Sequence, residues 1–156
     1  MGRIIVHPGG IRGSVEAPPS KSYTHRAILI ALLAEGRSKL SNPLYSGDTW
    51  ASINTAKALG GMLEAGDALT VEGLLPLKAP ENVIDVENSG TTMRITSALA
   101  AHVEEGYTVL TGDESLRRRP MKPLLSALKG LGVMCWSTRL NGRPPIVVKG
   151  GGISGG

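Results

Sequence analysis

The sequence predicts a mixed α/β (α+β) fold in which one unit of strand, helix, strand, helix and hairpin occurs twice. Three observations carry that expectation. Twenty-one Gly and ten Pro fall between short apolar runs, as turns between many short elements require. The hydrophobic pattern switches between strand-like and helix-like spacing along the chain. Landmarks also recur: Arg26 and Arg94, Gly36 and Gly106, and Leu59-Gly60 and Leu131-Gly132 stand 68, 70 and 72 residues apart. That interval is longer than the common solenoid periods and marks a duplicated supersecondary unit. At 156 residues the chain can bury one sizeable core.

Each element has its local reason. Arg3 to His7, a Pro8-Gly9-Gly10 turn signal and Ile11 to Glu16 read as two short strands. From Ser22 to Leu33 apolar side chains are nearly continuous and Gly36 follows, so a helix buried on most sides is expected. Lys39 to Ser41 offers a short strand, and Asp48 is placed to cap a helix from Thr49 to about Leu59, which Gly60-Gly61 ends. Met62 to Ala65 and Leu69 to Glu72 then form a hairpin, with Gly66-Asp67 supplying the φ > 0 positions of a tight turn. The second copy opens with a strand at Val83 to Val86 and a helix from about Thr91 to Val103. A strand at Tyr107 to Thr111 leads to a helix that Pro120 enters and Gly132 stops. Val133 to Thr138 and Ile146 to Lys149 close it as a hairpin about Asn141-Gly142. The copies occupy about 14-80 and 81-150, and the glycine-rich end GGGISGG has no closing element. A truncated chain, lacking a third copy, is expected.

Composition excludes several classes of function. A formal charge of +4 favours anionic partners without naming them. Two Trp, three Tyr and no Phe leave few rings for stacking on bases, which disfavours nucleic acid. The single cysteine, Cys135, lies between Met134 and Trp136, has no intrachain disulfide partner, and suits an inert core position in a reducing compartment. No apolar run reaches the roughly 18 residues of a membrane span, and MGRIIVHPGG breaks too early for a secretory signal, so a soluble cytoplasmic protein is expected. His7, His25 and His102 are scattered without metal-ligand spacing and read as surface or satisfied polar residues. No metal or cofactor is expected.

The chemistry is carried by cations placed where helices start. A helix dipole disfavours a free cation at its amino end by a few tenths of a kcal/mol up to about 1 kcal/mol. Lys21 and Arg26 nevertheless flank the first helix start, Arg94 stands early in the third helix, and Arg117, Arg118, Arg119 and Lys122 surround the fourth. The placement makes sense if anions bind there, since free N–H groups, the dipole and a fixed cation then act together.

In PPSKSYTHR, Ser22 and Arg26 share one helix face and Lys21 points outward; a capped helix with snorkelling basic residues is the plainer reading. In ENSGTTMR, Gly90 permits close backbone approach, Thr91 and Thr92 expose hydroxyls, and Asn88 or Ser89 caps the helix. Arg94 interrupts an otherwise small and apolar helix. Its partner is then either a carboxylate such as Asp113 or Glu87, or a ligand. In TGDESLRRRPM the arginine run reads as a solvated cluster in which Arg119, beside Pro120, stands out. Asp48 reads as a cap, with orientation of Lys21 as the alternative.

The segments PSKSYTHRA, NSGTTMR, LTGDESLRRRP and GRPPIVVKGGGISGG, in that order and spacing, resemble the N-terminal part of the 5-enolpyruvylshikimate-3-phosphate synthases. The UDP-N-acetylglucosamine enolpyruvyl transferases are less similar, having their lysine in a KN rather than a KS context. The resemblance implies an enolpyruvyl-transferase fold of repeated βαβαββ units around a pseudo-threefold axis. Two of three units of one domain would be present in residues 14-156, and residues 1-13 would belong to the other, missing C-terminal domain. It implies transfer of an enolpyruvyl group from phosphoenolpyruvate to the 5-hydroxyl of shikimate 3-phosphate. Lys21 would contact both substrates, Ser22 and Arg26 would hold shikimate 3-phosphate, and Gly90 and Arg119 would contact phosphoenolpyruvate. Arg94, Thr91 and Asp48 are additional candidates. The general acid and base are expected outside this chain, which alone would be inactive. Two departures stand out: Ile95 follows the arginine where many bacterial members have proline, and the Ser-Ser-Gln expected after GGGISGG is missing. The competing functions are a stand-alone anion-binding module and a nucleic-acid binder using Arg117 to Arg119.

Overall fold

The computed structural model describes residues 2–155. Helix α1 (Lys21–Leu33) begins at Ser20, whose extended backbone and hydroxyl form the cap and accept the Tyr23 N–H. It leads through β1 (Gly36–Ser41) to α2 (Gly47–Ala58) and the hairpin of β2 (Met62–Glu64) and β3 (Ala68–Gly73). The second copy contains β4 (Ile84–Asp85), then α3 (Gly90–Leu99), which tightens into a 3-10 turn at Ala100–His102. After β5 (Tyr107–Thr111) come α4 (Glu114–Arg117), α5 (Lys122–Gly130), β6 (Cys135–Ser137) and β7 (Ile146–Lys149).

Two sheets result. The first has the order β1-β3-β2 and is antiparallel throughout; the second has the order β4-β5-β7-β6, with β4 parallel to β5 and the other pairs antiparallel. Setting β1, β2 and β3 on β5, β6 and β7 makes the duplication geometric. Gly36 and Gly106 both take left-handed φ, at +85° and +95°, as do Gly60 and Gly132, at +101° and +85°. In both copies the last strand ends against the carboxyl end of the first helix. Leu74 N–H donates to the Leu32 carbonyl at 2.9 Å, and Gly151 N–H donates to the Val103 carbonyl at 2.8 Å. Gly73 permits that approach, because a Cβ there would collide with the carbonyl oxygens of Ala31, Leu32 and Ala34.

One apolar core serves both copies. Ile28, Leu32, Ile53 and Leu69 of the first pack in the same cluster as Met93, Leu110, Leu116 and Ile146 of the second. The link between copies is stitched in as well, with Leu77 N–H donating to the His102 carbonyl and Glu104 N–H donating to the Leu77 carbonyl. Cys135 is 1% exposed, as its apolar neighbours suggest, and burial pushes its thiol pKa up. No helix among the described residues is long and apolar enough to cross a membrane.

Several expectations are corrected. Arg3 to His7 and Ile11 to Glu16 form no strand, and Ile4 and Ile11 are 88% and 98% exposed. A β-prone run becomes a strand only against a partner, and among the described residues none pairs with these. Helix α2 is capped by Ser46, not Asp48, because Ser46 and Thr49 exchange the reciprocal bonds of a capping box. Gly66 and Asp67 do not take positive φ; the loop between the paired Glu64 and Thr70 is too long to need a primed turn. Asn141-Gly142 likewise lies within a longer loop between the paired Ser137 and Ile146, where Leu140 and Gly142 have φ of 54° and 69°. Pro120 lies between two helices, and Pro123 sits in the first turn of α5.

Candidate anion-binding site

The candidate residues gather at the amino ends of α1 and α3. Lys21 is the first residue of α1, and its Nζ lies 2.6 Å from Oδ2 of Asp48, in the first turn of α2. Asp48 thus orients Lys21 and does not cap. Both side chains stay partly open to water, so the pair itself stabilises the fold by about 1 kcal/mol or less. Ser22 and Arg26 share the exposed face of α1, where Arg26 Nη1 donates a long bond of 3.4 Å to the Ser22 carbonyl. Among the described residues, Arg26 has no carboxylate partner.

Ser89 caps α3 by accepting the Thr92 N–H at 3.3 Å, which leaves Gly90 as its first residue and Thr91 exposed beside it. Two arginines converge there. Nη1 of Arg94 and Nη1 of Arg119 each lie 2.9 Å from the point that a Cβ on Gly90 would occupy. Arg94 donates to the Gly90 carbonyl at 3.0 Å and is exposed. Of the two partners that the sequence allows, the carboxylate is not found: among the described residues Arg94 pairs with neither Asp113 nor Glu87, and its side chain bends back over its own helix start. Arg119 donates from Nη2 to Asn88 Oδ1 at 2.6 Å. Its neighbours turn elsewhere, Arg117 to the Gly112 carbonyl and Arg118 to Glu114 at 3.0 Å. Of the three consecutive arginines, Arg119 is the one directed at Gly90.

A buried polar chain sets these helix starts side by side. His25 Nδ1 lies 2.6 Å from Ser52 Oγ, Ser52 Oγ lies 2.7 Å from Thr92 Oγ1, and Thr92 Oγ1 lies 2.7 Å from Ser89 Oγ. One bonded series thus joins α1, α2, α3 and the α3 cap. His25 is 1% exposed, and among the described residues its Nε2 has no hydrogen-bond partner. Burial lowers its pKa, Asp48 opposes the shift, and nearby Lys21 and Arg26 add to it, so the imidazole is neutral at pH 7. Reading His25 as a surface or fully satisfied residue is corrected accordingly.

Sequence reasoning also missed Ser52 and the role of Asn88. The available signal was the hydroxyls that α2 and α3 carry on their inward faces, where Ser52 and Thr92 are buried together with Thr49, Thr55, Thr96 and Ser97. Asp113 has a pKa held below the usual carboxylate value, chiefly by the Leu116 N–H and then by the Asn88 amide, with Arg119 and Arg117 adding to it. Fixed cations, hydroxyls and the dipoles of two helix starts together favour a ligand with phosphate or carboxylate groups.

Residues 5–156 match the family model described as EPSP synthase (3-phosphoshikimate 1-carboxyvinyltransferase). The 3-phosphoshikimate 1-carboxyvinyltransferase of Methanothermobacter thermautotrophicus is 54% identical over 152 residues, covering 97% of this chain and 36% of the relative. That of Methanocaldococcus jannaschii is 48% identical over 155 residues, again with 97% and 36% covered. The EPSP synthase of Acinetobacter baumannii superposes with a TM-score of 0.83 at 31% identity, over 89% of this chain and 32% of that one. The enolpyruvyl transferase NikO of Streptomyces tendae, at 15% identity and a TM-score of 0.52 over 83% of this chain and 29% of that one, is alike in fold alone. The chain spans about a third of the length of the curated relatives it matches.

Proposed function

The chain belongs to the EPSP synthase (3-phosphoshikimate 1-carboxyvinyltransferase) family, and on that membership we propose that the whole protein transfers an enolpyruvyl group from phosphoenolpyruvate to shikimate 3-phosphate. The acceptor is the 5-hydroxyl, and phosphate is released. The observation that carries the assignment within this chain is the convergence of Arg94 and Arg119 on Gly90, next to the helix start that holds Lys21 and Arg26.

In this reading Arg119 and the Gly90 backbone hold phosphoenolpyruvate, while Ser22 and Arg26 hold shikimate 3-phosphate. Lys21 reaches both, poised by Asp48; Thr91 and Arg94 line the same helix start. Addition of the hydroxyl followed by loss of phosphate redistributes negative charge between groups that these cations already face. Stabilisation of that charge by prearranged cations and N–H groups is their share of catalysis. The remaining cations and the general acid and base would lie in the rest of a two-domain protein, whose closure excludes water. Residues 14–156 would be two of three units of one domain, and residues 1–13 would join the other. The cytoplasm, where a lone thiol such as Cys135 stays reduced, is the fitting compartment.

The test is phosphate release from phosphoenolpyruvate by the full-length protein, with and without shikimate 3-phosphate. Release that requires shikimate 3-phosphate and scales with enzyme is expected. Absence of such release from folded full-length protein would overturn the assignment.

A further inference from the structure

We infer that Asp113 is a positioning residue for Arg119, acting through the side-chain amide of Asn88. The inference deepens the site reading above and rests on it. Its own basis is a directed series of hydrogen bonds. Arg119 Nη2 donates to Asn88 Oδ1 at 2.6 Å, Asn88 Nδ2 donates to Asp113 Oδ2 at 2.6 Å, and Asp113 Oδ1 accepts the Leu116 N–H at 2.7 Å.

The order of donors and acceptors in that series is forced. A guanidinium only donates, so Asn88 must turn its oxygen to Arg119 and is left presenting its NH2 on the other side. That NH2 needs an acceptor. An ionised carboxylate is acceptor on both oxygens, so Asp113 satisfies the amide with one and caps α4 with the other. An asparagine in its place could still cap, but facing Asn88 it has only an NH2 left to offer. Either two donors then meet there, or Asn88 flips and two donors meet at Arg119.

Asp113 also holds the turn that carries Asn88. Its backbone N–H donates to the Glu87 carbonyl at 2.8 Å, and Glu87 occupies the left-handed region at φ 52°, which a non-glycine residue adopts only where its surroundings hold it. One residue therefore ties the 87–88 turn, the amide and the helical turn leading to Arg119. All of them are partly open to water, so the arrangement fixes direction more than it adds stability.

Three full-length proteins test it: wild type, Asp113→Asn and the exchange Asn88→Asp with Asp113→Asn. The exchange restores the order, because the carboxylate moved to position 88 accepts both from Arg119 and from the amide moved to position 113, whose oxygen keeps the cap. The first readout is the heteronuclear NOE of the Arg119 side-chain Nε. A rigid signal in wild type, a mobile one in Asp113→Asn and a rigid one again in the exchange are expected. The second readout is kinetic: Asp113→Asn should raise KM for phosphoenolpyruvate about tenfold with kcat within about twofold, its melting temperature staying near wild type because asparagine caps as well as aspartate. An Arg119 signal unchanged by Asp113→Asn, or one that the exchange leaves mobile, overturns the inference. So does an unchanged KM. A wild type with no shikimate 3-phosphate-dependent turnover would refute the functional reading instead, and the NOE would still decide the role of Asp113.

Discussion

Arg94 and Arg119 come from different elements and stand 25 positions apart, yet both guanidinium groups rest over the first residue of α3, each 2.9 Å from where a Gly90 side chain would begin. Two like charges brought together at the positive end of a helix repel each other and the dipole. The arrangement becomes favourable when an anion enters between them.

Gly90→Ala should therefore damage binding more than folding. The added methyl would press on the far ends of two long side chains, which can move, and on no backbone atom nearer than they are. We expect KM for phosphoenolpyruvate in the full-length protein to rise about tenfold or more, a loss of about 1.4 kcal/mol per tenfold, with a melting temperature close to wild type. Unchanged KM would show that the ligand does not use this helix start.

Lys21→Ala should lower kcat/KM of the full-length enzyme far more than Arg117→Ala. Lys21 is held by Asp48 at the α1 start, whereas Arg117 is spent on the Gly112 carbonyl. A difference of at least about a hundredfold, about 2.7 kcal/mol, is expected by steady-state kinetics. Equal losses would refute the ranking.

Among the described residues Arg26 makes one long bond, to its own helix, and meets no carboxylate. The present chain should bind shikimate 3-phosphate weakly at low salt, and Arg26→Ala should abolish the associated amide shifts around Ser22. Exposed ion pairs are screened at physiological salt, so the shifts should fade as salt is added. Equal binding by both proteins would make the arginine structural.

His25 gives a pH signature. Burial holds its folded pKa below the ordinary histidine value of 6.5, so between that value and the lowered one the unfolded chain holds a proton that the folded chain does not. Stability rises with pH wherever the unfolded state binds more protons, so acidification through this window destabilises the fold, by at most about 1.4 kcal/mol per pH unit. Urea midpoints measured between pH 7 and 5 should fall in wild type and run flatter in His25→Asn, whose amide can replace Nδ1. Parallel curves would contradict the assignment.

Much of this was legible in the sequence, and the failures have physical causes. The duplication was readable because the glycines that mark it, at 36, 60, 106 and 132, occupy a backbone region few other residues tolerate. Arg119 stood out from Arg117 and Arg118 by its place before Pro120, and it is the one of the three that is directed at Gly90. The segments before α1 misled because apolar β-prone residues name a preference, and a strand needs a neighbour that composition does not reveal. Asp48 misled because aspartate and serine are equally good caps, and Thr49 decided for Ser46 by completing the box. The buried series from His25 to Ser89 joins residues 67 positions apart at its widest hydroxyl contact, and no local pattern announces such a pairing. Asn88 was ambiguous for a similar reason: its partners, Asp113 and Arg119, lie 25 and 31 positions further on, beyond α3 and β5.

The buried series has a consequence for how the chain comes apart. His25 and Ser52 belong to the first copy, Thr92 and Ser89 to the second, and the 2.7 Å bond between Ser52 and Thr92 carries the series from one copy to the other. Separating the copies near residue 80 would break that crossing bond and open one shared apolar interior to water. The two halves of the duplication are thus not modules. We expect them to melt together in one cooperative transition, and a denaturation curve with two separate steps would contradict a shared interior.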